Sequence, residues 1–305
     1  MADTKKNLLI GYFTLIRPKE WIKNFFLFIP LFFAGKPFEF NFIFNLAGGF
    51  VCFSLVASGI YILNDIRDVK SDQLHPKKRF RPIASGLISR NPALVLMILF
   101  WIVGLGLGYF FLKPKFGFIL ALYWILNLSY SLGLKNISIL DILMVSAGFV
   151  FRVKAGGALI GIYVSTWLNI MVFLLSMIMA IAKRRDDLLL KLQSGVEIRK
   201  AGKGYNLDFL NTVLGIISGI TIMAYIMYTI SPGVIAQHNS HRLYYTCIFV
   251  IAGILRYLQI TFVEADSGSP TSILYKDRFI QICILLWILS FYFILYVPDI
   301  QLFTE

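Results

Sequence analysis

Charge is scarce in this 305-residue chain: only 15% of its side chains are Asp, Glu, Lys or Arg, against roughly a quarter in a soluble globular domain. That shortage excludes a water-soluble domain. Cysteine is scarcer still, with Cys52, Cys247 and Cys283 as the full complement. All three fall in apolar runs without CxxC or Cys/His spacing, which argues against a disulfide scaffold, a zinc site or thiol redox chemistry. Histidine numbers three, His75, His238 and His241, so a mechanism built on a histidine base has few candidates. No Walker or Rossmann glycine pattern is present, and nucleotide-driven transport has no motif to support it. The N-terminus has no apolar region followed by a small-residue cleavage site, so no signal peptide is expected.

What the chain has in abundance is apolar surface: 58% hydrophobic residues, 28 of them Phe, and a mean hydropathy of +0.76. A bilayer crossing needs about 20 apolar residues. Apolar stretches recur at 21–34, 40–63, 93–112, 116–132, 139–160, 163–182, 209–230, 243–263 and 279–297. The expected fold is therefore all-α, a polytopic membrane bundle of about nine transmembrane helices forming one domain over 1–305. The first stretch is the weakest, since its residues at 1.5 Å each span only about 21 Å of a core about 30 Å thick. Its helix is expected to begin upstream near Arg17-Pro18, with 8–16 lying along the interface. The Phe-rich spans read as packing and lipid-facing surface rather than a carbocation box. Gly104, Gly106, Gly108, Gly156 and Gly157 read as points of close helix packing, within one chain or between copies, so a homo-oligomer stays open.

Lys and Arg total 29 and Asp and Glu 16, a formal charge of +13. On a soluble chain that excess would suggest nucleic acid; here the positive-inside rule accounts for it. Twenty-two of the cations fall in the N-terminal segment and the loops on its side, and four (Lys36, Lys113, Lys115 and Arg242) on the other. The N-terminus is thereby assigned to the cytoplasmic side of the cell inner (plasma) membrane and the C-terminus to the outside. Two long, charged cytoplasmic loops follow, 64–92 and 183–208.

The first of these loops opens with Asn64-Asp65-Ile66-Arg67-Asp68-Val69-Lys70-Ser71-Asp72. Asp65, Asp68 and Asp72 are spaced i, i+3, i+7 and share one face if the helix continues. Three acids on one stripe repel one another unless a cation sits among them, and hard oxygen ligands suit Mg²⁺, which usually holds substrate phosphates as well. The plainer alternative is a helix end salt-bridged by Arg67 and Lys70. His75-Pro76-Lys77-Lys78-Arg79-Phe80-Arg81-Pro82-Ile83-Ala84-Ser85-Gly86 comes next. Its cations suit either anionic lipid headgroups or a substrate carrying more phosphate than one metal can neutralise.

These motifs resemble the signature of the UbiA superfamily of intramembrane prenyltransferases: Asn64-Asp65-x-x-Asp68-x-x-x-Asp72 followed by Arg79-x-Arg81-Pro82-x-Ala84-x-Gly86. Arg17-Pro18-Lys19-Glu20-Trp21-Ile22-Lys23-Asn24 is similar to the first-helix motif of that superfamily. Tyr130-Ser131-x-x-Leu134-Lys135 is similar to its loop after the fourth helix. The resemblance implies a nine-helix bundle around a central cavity open to the cytoplasmic side, with a Mg²⁺-bound diphosphate. One motif departs. Where most members carry a second Asp-x-x-x-Asp stripe, this chain has Lys183-Arg184-Arg185-Asp186-Asp187, which removes one metal ligand and adds a phosphate donor.

That departure resembles the decaprenyl-phosphate phosphoribosyltransferase branch, also called 5-phosphoribose synthases. His75-Pro76-x-Lys78-Arg79, Gly148-Phe149-x-x-Arg152-x-x-Ala155-Gly156-Gly157, Gly204-Tyr205-Asn206-Leu207-x-Phe209 and Ser267-Gly268-Ser269-Pro270 resemble it too. The branch implies Mg²⁺-dependent transfer of 5-phosphoribose from phosphoribosyl pyrophosphate to a polyprenyl phosphate, a step toward cell-envelope material. Asn64, Asp65, Asp68 and Asp72 are then the metal ligands, and Asp65, Asp68 and Lys183 the catalytic residues. Lys23, Asn24, Arg79, Arg81, Lys135, Arg152, Arg184 and Asp187 are the substrate-binding candidates. No general base is needed, since a phosphate monoester is already ionised at neutral pH. Arg152 lies inside the fifth span, where a charge costs at least about 2.5 kcal/mol unless it faces a polar site; a substrate role and an internal salt bridge are both open. Arg256 poses the same question in the eighth span, and Asp141 or Asp187 could orient a cation or a ribose hydroxyl. Two rivals stand beside this reading: an ordinary prenyltransferase using a polyprenyl diphosphate and an aromatic or other acceptor, and a transporter or lipid-binding protein without catalysis.

Overall fold

The structure, a computed structural model, describes residues 2–33, 39–74, 78–194, 204–238, 240–264, 273 and 276–296, and these contain helices and no strand. His75, Pro76, Lys77, Lys36, Arg199, Lys200, Lys203 and the stretch 267–270 lie outside the described residues, as do the side chains of Lys5, Lys6 and His238. Seven helical segments are long and apolar enough to cross a bilayer: Phe40–Arg67, Arg90–Leu112, Pro114–Leu132, Leu140–Ile160, Thr166–Leu192, Leu207–Thr229 and Arg242–Glu264. The chain is a multi-pass membrane protein. The expected count of nine is not reached by this measure among the described residues. The last apolar helix falls short in length, and the first span is not a single α-helix.

The chain divides into two compact units, Met1–Lys135 with Gly148–Val164, and Asn136–Ala147 with Ser165–Glu305. In the first unit, α1 (Ala2–Ile16) ends at Arg17, whose backbone is left-handed (φ 52°, ψ 61°), and Pro18 starts an 11-residue 3-10 stretch, Pro18–Phe28. A residue before proline is pushed out of the right-handed helical region, so the break at Arg17 is partly dictated by sequence. Three residues per turn line up positions i and i+3, which puts Trp21, Asn24 and Leu27 on one edge. That edge bonds α3 (Phe40–Arg67): Trp21 Nε1 donates to Ser58 Oγ at 3.0 Å and Asn24 Nδ2 to Ser54 Oγ at 3.0 Å. Ser58 Oγ in turn donates to the Ile16 carbonyl at 2.7 Å, satisfying a group that the end of α1 leaves open. The short α2 (Ile29–Phe33) completes the segment.

After α3 come α4 (Val69–Leu74), α5 (Arg90–Gly106, prolonged by a π-turn to Leu112) and α6 (Pro114–Leu132). Lipid tails are as apolar as leucine, so close packing and interhelical hydrogen bonds hold such helices together. Small residues serve that end here: a Cβ at Gly104 of α5 would meet the Cys52 carbonyl at 3.1 Å. α7 (Leu140–Ile160) gives its first turns to the second unit and the rest to the first. A Cβ at Gly156 would collide with the Leu27 carbonyl oxygen, so glycine alone lets α7 approach the 3-10 stretch so closely. Phe53, Phe116, Leu120, Tyr123 and Leu159 form the core around that contact.

In the second unit, α8 (Thr166–Ser194) packs on α9 (Leu207–Thr229) through Ile178, Ile181, Leu210 and Leu214. α10 (Pro232–His238) leads to α11 (Cys247–Gln259, with a π-turn to Glu264), which packs on α12 (Arg278–Tyr296). The sixth apolar run ends at Ala182, which predicts a loop from Lys183. Instead α8 runs on for three more turns, carrying its cations on a regular helix, because 183–194 holds straight-chain helix formers and no Gly or Pro. Large apolar side chains such as Val95, Ile102 and Phe110 are exposed, as lipid-facing positions are.

Candidate functional site

Asp65, Asp68 and Asp72 do not share one unbroken helix. α3 stops at Arg67, and Asp68 (φ −92°, ψ 7°) caps it before α4 begins. The ladder nonetheless bridges the step, with Asp68 N–H donating to the Asn64 carbonyl at 2.9 Å and Asp72 N–H to the Asp68 carbonyl at 2.8 Å. All three acids stay at one end of the first unit. Asp65 and Asp72 are each 2% exposed, and burial of that kind demands counter-charges.

Those charges come from three distant segments. Arg17 donates from the left-handed break to Asp65 Oδ1. Arg81 Nη1 bridges Asp65 Oδ1 at 3.2 Å and Asp72 Oδ2 at 2.7 Å. Lys135 Nζ reaches Asp68 Oδ2 at 3.2 Å. Three carboxylates thus face three cations. Among the described residues no three His, Cys, Asp or Glu side chains gather into a group that could hold a metal ion. Asn64 Oδ1, on the residue before Asp65, is buried without a hydrogen-bond partner among the described residues.

The turn that delivers Arg81 explains its motif. Pro82 O accepts from Ile88 N–H at 2.9 Å, Ile83, Ala84 and Ile88 bury their side chains, and Gly86 takes φ 79°. Nothing lies within 4 Å of a Cβ built on Gly86, so glycine is needed there for its backbone conformation and not for space. Arg79, two residues before Arg81, is exposed over the ring of Phe80.

In the same unit, Arg152 is 5% exposed, and among the described residues its hydrogen bonds go to neutral groups rather than to a carboxylate. Its Nε donates to Asn24 Oδ1 at 2.9 Å, Nη1 to Gly148 O at 3.0 Å and Nη2 to Tyr123 OH at 2.8 Å. The guanidinium also lies over the Tyr123 and Phe149 rings. Lys23 pairs with Glu20 at 2.5 Å.

The second unit holds its own polar cluster. Arg184 Nε donates to Asp141 Oδ2, and Arg184 Nη1 lies 3.7 Å from Asp187 Oδ2. Asp141 is fully buried and its Oδ1 accepts from Tyr205 OH at 2.7 Å. Burial, and after it the hydrogen bond to Asp141, raises the Tyr205 phenol above its ordinary pKa. Lys183 is exposed beside the buried Arg184. Arg256 is settled by Asp277 at 2.8 Å and Glu264 at 2.7 Å; its hydrogen bond holds the Asp277 carboxyl below the ordinary range. Sequence reasoning assigned no site role to Arg17 or Tyr205. Each lay inside a quoted motif, the one signal that could have found it.

Residues 24–283 match the UbiA prenyltransferase family. The chain is 35% identical to a decaprenyl-phosphate phosphoribosyltransferase of Mycolicibacterium smegmatis, over 94% of this chain and 93% of that protein. It is 33% identical to the protein of the same name from Corynebacterium glutamicum, over 96% and 89%. Among solved structures it resembles a UbiA homolog from Archaeoglobus fulgidus bound to DMAPP and Mg²⁺, with a TM-score of 0.69 at 20% identity, covering 94% of this chain and 99% of that one. At that identity the likeness concerns the fold.

Proposed function

The chain belongs to the UbiA prenyltransferase family, and from that premise we propose that it transfers 5-phosphoribose from phosphoribosyl pyrophosphate to a polyprenyl phosphate. The observation that carries the reading is the nearly full-length likeness to proteins named decaprenyl-phosphate phosphoribosyltransferase. The basic residues at the end of α8 give it a physical reason. A reaction that gathers a diphosphate, a 5-phosphate and a lipid phosphate needs more cations than one that handles a single prenyl diphosphate.

In the reaction, an oxygen of the lipid phosphate attacks C1 of the ribose. The bond from C1 to the pyrophosphate oxygen breaks, and pyrophosphate leaves with that electron pair. The attacking phosphate is ionised near neutrality, its second pKa lying near 6, so no side chain has to remove a proton. Arg79, Arg81 and Lys135, beside the acidic end of α3, bind phosphate oxygens, and Lys23, Lys183 and Arg184 are assigned to the same task. Arg152, fixed by Asn24, Tyr123 and Gly148, supplies a permanent positive charge that is hydrogen-bonded to no carboxylate among the described residues.

Asn64, Asp65 and Asp68 would hold Mg²⁺, with Asp72 beside them. The donor chemistry suits the ion, hard carboxylate oxygens plus an Asn64 Oδ1 without a hydrogen-bond partner, and Arg17, Arg81 and Lys135 would have to release Asp65, Asp72 and Asp68 to admit it. When bound, the ion supplies Lewis-acid stabilisation of the leaving pyrophosphate. The N-terminus and these residues lie on the cytoplasmic side of the plasma membrane, in keeping with the charge bias.

The test is purified protein in detergent with Mg²⁺, phosphoribosyl pyrophosphate and a polyprenyl phosphate. The expected result is released pyrophosphate and a phosphoribosylated lipid. Consumption of polyprenyl diphosphate alone would overturn the proposal in favour of ordinary prenyl transfer.

A further inference from the structure

We propose that Tyr205 is a positioning residue that acts through Asp141 to set the orientation of Arg184 toward a substrate phosphate. The claim rests on the reading of Arg184 as a phosphate-binding cation. Gly204-Tyr205-Asn206 belongs to a motif with no assigned task, and the structure gives each residue one. A Cβ on Gly204 would strike Ser138 Oγ, so glycine lets this strand of chain lie hard against the start of α7. Asn206 caps α9, its Oδ1 accepting from Phe209 N–H at 2.7 Å. Tyr205, between them, buries its hydroxyl at Asp141.

The geometry around that hydroxyl is tightly determined. Ile139 N–H donates to Tyr205 OH at 2.5 Å, and Ile139 is left-handed at φ 70°, a conformation that a β-branched residue rarely adopts. Strain of this sort persists where surrounding contacts over-determine it, and it gathers at functional sites. With a backbone donor on one side, the phenol directs its own proton to Asp141 Oδ1 at 2.7 Å. The remaining carboxylate oxygen then accepts from Arg184 Nε. Tyr205 thus fixes the carboxylate plane, and the carboxylate plane fixes the guanidinium, 5% exposed, with Nη1 on the side of Asp187. A ring that only anchored the loop would need packing, which Phe209 provides at a centroid distance of 6.1 Å, and no hydroxyl.

Tyr205→Phe keeps the ring and deletes one oxygen. Donor kinetics with Mg²⁺ are measured for wild type and variant, once with phosphoribosyl pyrophosphate and polyprenyl phosphate, once with farnesyl diphosphate and 4-hydroxybenzoate. The variant is expected to raise the KM of the consumed donor about tenfold, with kcat within about twofold; the thermal midpoint falls modestly as well, because Ile139 N–H and Asp141 Oδ1 lose their buried partner. Asp141→Asn should do the same or worse, and the double variant no worse than Asp141→Asn alone, because one residue works through the other. An unchanged donor KM, or additive effects in the double variant, would overturn the proposal. If farnesyl diphosphate is the donor consumed, the phosphoribosyl reading fails while the Tyr205 effect is still scored on that diphosphate.

Discussion

Asp65→Asn and Asp68→Asn remove the same charge from neighbouring turns, yet the structure separates their consequences. Asp65 is 2% exposed and accepts from both Arg17 and Arg81. Taking the charge from a buried carboxylate strands its partners, at about 3–5 kcal/mol when both are fully buried. Arg17 and Arg81 keep about a quarter of their side chains in solvent, and asparagine still accepts a hydrogen bond, so about 2 kcal/mol is expected. Among the described residues Asp68 pairs with Lys135 alone, at 3.2 Å, and both are partly exposed; such pairs contribute about 0.2–1 kcal/mol. Activity should respond alike. Loss of either carboxylate removes charge from the proposed metal site, and turnover is expected to fall on the order of 10³-fold, about 4 kcal/mol of barrier. Thermal unfolding in detergent, run beside the pyrophosphate-release assay, reads both axes. Wild-type turnover in either variant would refute the ligand assignment, and equal thermal midpoints for the two would refute the burial argument.

Lys183→Asp restores a second acidic position and should raise the KM for phosphoribosyl pyrophosphate at least about tenfold; an unchanged KM in steady-state kinetics would count against a phosphate-binding role. Arg152→Lys and Arg152→Met each abandon several of the buried acceptors that the guanidinium reaches together, and each should destabilise by about 3 kcal/mol in a thermal or denaturant titration. Gly156→Ala drives a methyl into the Leu27 carbonyl and should cost about 2–3 kcal/mol. Gly215→Ala, with nothing within 4 Å of the new Cβ, should be neutral or gain up to about 1 kcal/mol by the same measurement.

The spans were legible because a bilayer imposes runs of about 20 apolar residues, and such runs survive in sequence whatever their packing. Their ends were not. The 3-10 stretch after Arg17 is set by a backbone reversal and by serines 30 to 40 positions away, neither of which leaves a local period. α8 outlasts its apolar run because helix propensity continues where hydropathy stops. The acids at 65, 68 and 72 were readable as a spaced motif. Their partners at 17, 81 and 135 were not, since each ion pair joins segments that only the folded chain brings together. Tyr205 and Asp141, 64 residues apart, are the clearest case: the motif marked one and burial the other, and the bond between them appears in neither.

Anomalous scattering from Mn²⁺ in crystals grown with phosphoribosyl pyrophosphate tests the central claim most directly. One metal peak beside Asn64 and Asp65, with the sugar diphosphate against it, is the predicted result. Two peaks, the second next to Lys183, or a sugar bound away from Asn64 and Asp65, would contradict the account.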